Sequence, residues 1–234
     1  MIRRALAALV VLVLLAGCGG AAGGEEGTAQ LWVTRDRGAR LLIDTEVDAG
    51  QTLMRALASK ADVETRYGGR YVQSVNGIEG SLAAQHDWFW FVNGYEGDRS
   101  ASSYRLQDGD VAWFDYRAWE REGEARVVVG AFPEPFLHGY MGEMRPVAVR
   151  YAPGREAGAR ALGRFLHATS VAPLSDTPSS DANVFYTVSG SERFTASLRE
   201  SGGAAGSPVR FTFAGDAAAL ARHPDRFRYR YSVP

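Results

Sequence analysis

Two tryptophans in one short segment are the side chains best suited to holding a ligand. Trp88 and Trp90 lie in the run Trp88-Phe89-Trp90-Phe91. Successive side chains of a strand point to opposite faces, so the tryptophans share one face and the phenylalanines share the other. Two exposed indole rings would form a platform for a flat ligand. The alternative is that one face belongs to the core and the other is covered by a helix or by the second half of the chain.

The single cysteine, Cys18, indicates a different chemistry. It follows two arginines, an apolar run over residues 5–16 and a glycine. A basic start, a short apolar run and a small residue at the cleavage position are typical of a secretory signal. The run is shorter than the roughly 20 residues that a membrane-spanning helix needs. With no second cysteine, the mature chain can form no internal disulfide, and its folded part can hold no thiolate zinc site.

The end of this run, Leu15-Ala16-Gly17-Cys18, resembles a bacterial lipobox. The resemblance implies that residues 1–17 are a lipoprotein signal peptide and that a diacylglycerol is attached to Cys18. It places the protein at the extracytoplasmic face of the cell membrane, where residues 18–29 would form a flexible tether. The alternatives are an ordinary signal cut at another small residue and an uncleaved anchor helix.

No enzyme motif is present in the sequence. It contains no Gly-x-Ser-x-Gly elbow, no His-Glu-x-x-His, no phosphate loop and no dinucleotide fingerprint. We therefore expect no catalytic residues, no resident cofactor and no metal site. Asp108-Gly109-Asp110 lacks the remaining ligands of a calcium loop and is interpreted as a tight turn. The histidines lack metal-ligand spacing, and a cobalt ligand from His86 or His138 is a minor alternative.

The charge pattern argues against nucleic acid as a partner, because the formal net charge is −1. Arg226, Arg228 and Arg230 alternate with aromatic residues, which predicts a strand over residues 226–233. Its arginine face is expected to be solvated. The alternative is that this face contacts anionic lipid headgroups or an acidic partner.

The pattern of apolar residues and turns predicts an α+β protein of two domains. Residues 30–120 are expected to form a β-grasp-like domain that folds alone, since about 90 residues can bury an adequate core. Residues 126–234 are expected to form a second small α+β domain of unknown role. The predicted elements of the first domain are strands at 30–35, 40–47, 71–75, 87–92 and 111–116, and a helix after Thr52. Those of the second are strands at 146–151, 183–188, 208–213 and 226–233, helices at 154–167, 192–200 and 216–223, and a loop at 168–181.

Four pieces of the first domain resemble a known family when they are taken in order. They are Gly50-Gln51-Thr52-Leu53, Gly69-Arg70-Tyr71-Val72-Gln73-Ser74-Val75-Asn76-Gly77, Trp88-Phe89-Trp90-Phe91-Val92-Asn93-Gly94, and Ser103-Tyr104-Arg105-Leu106-Gln107-Asp108-Gly109-Asp110. This order resembles the bacterial DUF4430 domains, which are similar to the C-terminal β-domain of transcobalamin and intrinsic factor. The resemblance implies a corrinoid or another vitamin-like ligand, and a component of an uptake transporter as partner. Tyr71 and Tyr104 match family positions near the turns and would supply hydroxyl groups at the edge of the platform.

The expected function is that of a membrane-anchored, non-catalytic binding module for a small molecule. Its expected ligand-contacting residues are Tyr71, Trp88, Trp90 and Tyr104. In the animal relatives a helical barrel holds the other side of the ligand, and this chain has no room for one. The rival expectation is a structural or protein-interaction lipoprotein of the cell envelope without a ligand, and an enzyme ranks third. Solvent exposure of Trp88 and Trp90 discriminates between capture and the rival.

Overall fold

The computed structural model describes residues 27–119 and 125–234. The predicted signal peptide, Cys18 and most of the predicted tether lie outside these ranges. Within them the fold is α+β with strands predominating, arranged as two five-stranded sheets and one three-stranded sheet. None of the helices in the described part is long and apolar enough to span a membrane.

The described residues form thirteen strands, three α-helices and one 3-10 helix. In chain order they are β1 (Thr28–Arg35), β2 (Arg40–Asp48), α1 (Leu53–Ala58), β3 (Val63–Arg66), β4 (Tyr71–Val75), β5 (Ile78–Glu79), β6 (His86–Val92), β7 (Tyr95–Glu96), β8 (Val111–Ala118), β9 (Val147–Tyr151), α2 (Glu156–Phe165), β10 (Ser170–Pro173), β11 (Asn183–Val188), β12 (Arg193–Leu198), β13 (Val209–Ala214), α3 (Ala217–Arg222) and a 3-10 helix (Pro224–Phe227).

The first sheet has the order β2-β1-β8-β6-β7, with β1 parallel to β8 and antiparallel to β2. The β1–β2 hairpin turns through Asp36 and Arg37, both with φ of 58°, and Gly38 with φ of 79°. Gly38 also meets the end of the chain, since a Cβ there would lie 1.8 Å from the carbonyl oxygen of Tyr229. A side chain at this position is therefore excluded both by backbone conformation and by packing.

One face of the first sheet is covered by α1 and by the small sheet β3-β4-β5. The side chains of Leu31 and Phe114 from the first sheet and of Leu53 and Leu57 from α1 are fully buried in one cluster. The hydroxyl of Thr52 accepts a hydrogen bond from the amide of Arg55 at 3.3 Å, which caps α1 as the sequence predicts.

The other face of the first sheet is covered by segments that lie beyond β8 in the chain. Trp32, Phe91 and Trp113 point to this face, because their neighbours in each strand point to the first one. They pack against Val128 from the segment after the undescribed residues 120–124 and against Tyr231 near the C-terminus. The second half of the chain therefore completes the core of the first.

The second five-stranded sheet has the order β10-β9-β11-β13-β12. Its strands are parallel except for β12, which pairs antiparallel with β13. Its core is dominated by phenylalanine rings, with Phe136 and Phe211 only 4.9 Å apart between ring centroids. The buried rings of this core are Phe132, Phe136, Phe185, Phe194, Phe211, Phe213 and Phe227.

Several predicted elements of the second half are wrong. Residues 192–200 are not a helix: β12 occupies them, because it pairs along its length with β13 and buries Phe194. Residues 226–233 are not a strand, since Pro224 opens a 3-10 helix there. The alternation of burial nevertheless holds, with Phe227 and Tyr231 buried and the three arginines exposed. The predicted loop at 168–181 contains β10, and β3 in the first half was not predicted.

Candidate ligand-binding groove

A groove of about 280 Å³ lies where β4 and β6 diverge. We call it the central groove and define it by Arg70, Tyr71, Trp88, Trp90 and Arg99, which all line it. The strands β4 and β6 belong to different sheets, so the groove follows from the gap between the small sheet and the first sheet. The sequence places these five residues in three separate segments, and the fold brings them together.

Trp88 contributes to the inner end of the central groove but is mostly a core residue. Its relative exposure is 7%. Its indole Nε1 donates a hydrogen bond to the carbonyl oxygen of Ile78 at 2.9 Å, and its ring centroid is 5.3 Å from that of Tyr116. Trp88 is thus held rigidly and offers a ligand only part of its ring.

Trp90 is half-buried and forms the accessible floor of the central groove. Its ring packs edge-to-face with Tyr104, at 6.0 Å between centroids. The ring also lies close to Gly97, where a Cβ would approach within 2.1 Å of the indole. The absence of a side chain at Gly97 therefore sets the position of Trp90.

Tyr71 divides the central groove from a neighbouring groove of about 360 Å³ that is lined by Tyr67, Leu82 and Asp87 among others. The Tyr71 hydroxyl donates a short hydrogen bond to Oδ2 of Asp87. Burial, followed by this bond, raises the pKa of Tyr71 well above its usual range. The phenol therefore stays protonated and acts as a donor. Tyr67 and Leu82 are 78% and 83% exposed, which makes the outer rim of the second groove apolar.

Tyr104 does not line the central groove. Its side chain is fully buried, and its hydroxyl donates to Oδ2 of Asp110 at 3.1 Å and accepts from the amide of Met141 at 3.1 Å. The expected role at the edge of a platform is replaced by a structural one. Sequence reasoning could not foresee this, because Met141 lies in a segment far along the chain.

Asp110 is the centre of a buried polar network beneath the groove. Its carboxylate accepts from Nδ2 of Asn93 at 2.7 Å and from the amide of Gln107 at 2.9 Å. Burial raises the pKa of Asp110 from its ordinary value of 3.8 to about 6. Asp108-Gly109-Asp110 is the tight turn that the sequence predicts, with φ of 78° at Gly109. Among the residues described, no group of three or more His, Cys, Asp or Glu side chains could hold a metal ion.

The two histidines considered as cobalt ligands are both engaged with the protein. His86 Nδ1 is 2.6 Å from the carbonyl oxygen of Ala84. His138 Nδ1 is 2.8 Å from Oε1 of the buried Glu134, whose Oε2 accepts the His138 amide at 2.6 Å. This hydrogen bond raises the pKa of His138 above its ordinary value. Neither imidazole lines the central groove.

The groove residues that sequence reasoning missed are Arg70, Gly97 and Arg99. Arg70 stands inside a motif that was recognised, but nothing in its local pattern distinguishes it from any exposed arginine. Gly97 and Arg99 follow the Asn93-Gly94 turn, and their place beside Trp90 depends on how the loop after β7 packs. No signal in the sequence could have identified them.

Solved structures that resemble part of this chain share little sequence identity with it. No curated protein matches the chain. A protein from Ruminococcus gnavus ATCC 29149, provisionally described as metal binding, is 22% identical; the match covers 42% of this chain and 100% of that protein, with a TM-score of 0.34. Haptocorrin in complex with Cbi is 13% identical; the match covers 40% of this chain and 26% of haptocorrin, with a TM-score of 0.34. Likeness at this level carries no information about a ligand.

The family comparison is more specific. A family model matches residues 50–118, which run from the turn before α1 to the end of β8. The match includes every residue that defines the central groove. Over this part of the chain, the family expected from the sequence motifs is confirmed: residues 50–118 match DUF4430, a domain of unknown function.

Proposed function

We propose that the protein is a non-catalytic binding module that holds a flat, largely apolar small molecule in the central groove. The observation that carries this proposal is the half-buried ring of Trp90, which forms an accessible floor beside Tyr71 and the edge of Trp88. Aromatic floors give large contact area at low entropic cost. The protein would act at the outer face of a membrane, tethered through a lipid on Cys18.

The size of the central groove bears on which ligand it takes. At about 280 Å³ it lies just below the roughly 300–1,000 Å³ typical of ligand sites. A corrinoid, the ligand that the family resemblance implies, would therefore rest on the groove with one edge and leave most of its ring uncovered. Such partial enclosure supports only modest affinity, about micromolar. An uptake transporter would receive the ligand from this open side.

We also propose that the first half is a β-grasp-like unit. Its first and last long strands, β1 and β8, lie side by side and parallel at the middle of the sheet. The hairpin β1–β2 and the helix α1 precede the remaining strands. A parallel central pair flanked by antiparallel strands, with a helix on one face, supports this interpretation.

A second candidate function is structural or protein-binding, without a small-molecule ligand. The 7% exposure of Trp88 favours it, because that ring serves the core more than the groove. The same holds for Phe91, which is fully buried under Tyr231. The two candidates differ in what happens when the accessible ring of Trp90 is removed.

We expect the substitution Trp90→Ala to weaken binding of cobinamide by about tenfold or more. The ring supplies on the order of 1 kcal/mol of stacking beyond its area burial, and about 1.4 kcal/mol corresponds to a factor of ten. Isothermal titration of the full chain in detergent, against a detergent blank, measures the effect. Circular dichroism establishes that the variant is folded.

Trp119→Ala is the matched control, because Trp119 is 41% exposed and lies outside the groove. It should bind cobinamide as the parent does. Equal affinity of the Trp90→Ala variant and the parent would contradict the aromatic floor. Absence of heat from cobinamide and cobalamin at concentrations approaching about 1 mM would exclude corrinoid capture by this protein alone.

The proposed anchor gives a separate prediction. Cys18→Ser removes the thiol to which the diacylglycerol would be attached, since Cys18 is the only cysteine. We expect that this variant, expressed in a bacterium supplied with a fatty-acid probe, is no longer labelled and no longer sediments with membranes. Ser175→Ala, a change in the second half of the chain, is the labelled control. Persistent labelling of the Cys18→Ser chain would exclude the lipoprotein assignment.

A further inference from the structure

The wall of the central groove carries two guanidinium groups that are distant in sequence. Arg70 directly precedes β4, and Arg99 lies in the loop after β7. The hydroxyl of Ser100 donates a hydrogen bond to the carbonyl oxygen of Arg70 at 2.5 Å. The amide of Ser102 donates to the same hydroxyl at 3.2 Å. These bonds fix the two loops against each other beside the groove, which both arginines line.

The charges around the central groove do not cancel. Arg99 is paired with Asp98 at 2.9 Å. The acidic residue of the groove, Glu96, is paired with Arg117 at 3.0 Å, and the side chain of Arg117 is only 3% exposed. The guanidinium of Arg70 has no ion-pair or hydrogen-bond partner among residues 27–119 and 125–234. One exposed positive charge is therefore left over at the mouth of the groove.

The charge of Arg70 stands beside an apolar floor. Val72 and Met54, which line the groove with the two tryptophans, are 6% and 9% exposed. The carboxylate of Asp87 lies on the other side of Tyr71, where it accepts hydrogen bonds from the Tyr71 hydroxyl and from the amide of Trp88. The apolar floor of the groove is therefore suited to an apolar ring, and Arg70 at the edge of the groove is suited to a negatively charged group.

We propose, building on the proposed function, that the ligand of the central groove is a flat apolar ring that carries a carboxylate. The ring lies against Trp90 and the exposed edge of Trp88, and the carboxylate binds the guanidinium of Arg70. The planar fork of a guanidinium matches a carboxylate with two parallel hydrogen bonds. A neutral ring of the same size binds more weakly because it leaves Arg70 without a partner.

Three probes of one ring and different charge test the proposal: 2-naphthoate, 2-naphthamide and 2-naphthylmethylammonium. Equilibrium dialysis of the full chain in detergent, against a detergent-only blank, gives the affinity of each. We expect 2-naphthoate to bind about tenfold more tightly than 2-naphthamide, and the ammonium compound to bind most weakly. In the Arg70→Gln variant the preference for 2-naphthoate over 2-naphthamide should disappear.

Arg222→Gln is the matched control, because Arg222 is exposed at the end of α3 and its replacement removes the same charge far from the groove. This variant should keep the preference for 2-naphthoate. Equal affinities for the three probes would overturn the acid specificity, and so would an equal loss of the preference for 2-naphthoate in Arg222→Gln and Arg70→Gln. In either case the groove would bind aromatic rings without regard to their charge. If none of the probes binds, the proposed function fails, and the acid specificity fails with it.

Discussion

Replacing Tyr231 with alanine is expected to lower the free energy of unfolding by about 3 to 5 kcal/mol. Tyr231 is 9% exposed, and its ring centroid lies 5.3 Å from those of Phe91 and Trp113. Its hydroxyl donates to Oδ2 of the fully buried Asp115 at 2.9 Å. Alanine therefore uncovers one face of the first sheet and removes a donor from a buried carboxylate. Urea titration followed by tryptophan fluorescence measures the change.

Two further variants separate the contributions. Tyr231→Phe keeps the ring and loses only the hydroxyl, so we expect a cost of about 1 kcal/mol; Asp115 still accepts from the Thr34 hydroxyl and from the amides of Arg37 and Gly38. Tyr67→Ala removes a tyrosine that is 78% exposed and should change stability by less than about 0.5 kcal/mol. If Tyr231→Ala costs no more than Tyr67→Ala, the C-terminal residues do not complete this core.

The second large effect is a loss of stability as the pH rises. Burial raises the pKa of Asp110 from 3.8 to about 6, so the folded state binds this proton more tightly than the unfolded state. The stabilisation is complete below pH 3.8 and is lost as the pH rises through about 6. From Asp110 alone we expect the free energy of unfolding to fall by about 2 kcal/mol between about pH 4.5 and about pH 7.5.

Two further groups, His138 and Asp115, affect this pH dependence in the same direction. The hydrogen bond from Nδ1 of His138 to the Glu134 carboxylate raises the pKa of His138, so the stabilisation from His138 is also present at low pH and lost as the pH rises. Burial likewise raises the pKa of Asp115. Urea titrations across this pH range measure the sum, and Asp110→Asn should remove about 2 kcal/mol of the dependence. An undiminished pH dependence in Asp110→Asn, with the exposed Asp225→Asn as control, would contradict the assignment.

The parts of the fold that were predictable are those whose signals are local. The turns at Asn76-Gly77 and Asn93-Gly94 have positive φ at both residues, as their residue types predict. Thr52 caps α1 because its hydroxyl accepts a hydrogen bond from the amide of Arg55, only three residues further along the chain. The five longer strands of the first half and the helix α2 were predicted from local patterns of apolar residues and turns. In each case the signal lies within a few residues of the element.

The parts that were not predictable depend on distant partners. The segment Arg193–Leu198 contains good helix formers and becomes a strand only because β13 lies beside it. Tyr104 and Trp88 were both expected at an exposed platform, and their burial depends on Asp110, Met141 and Ile78. The expectation that residues 30–120 fold alone did not include the packing of Tyr231 against the first sheet, because the position of Tyr231 could not be inferred from the sequence. The fragment's circular dichroism tests that expectation directly.

The position of the C-terminal residues has a consequence for the order in which the protein can fold. The Asp44 carboxylate in β2 accepts a hydrogen bond from the hydroxyl of Tyr229. The two residues are 185 positions apart in the chain. Contacts so distant form late, because the entropy of closing a long loop opposes them. One face of the first sheet therefore stays open until residues 229–231 are in place, so this core is completed only after most of the chain has been made.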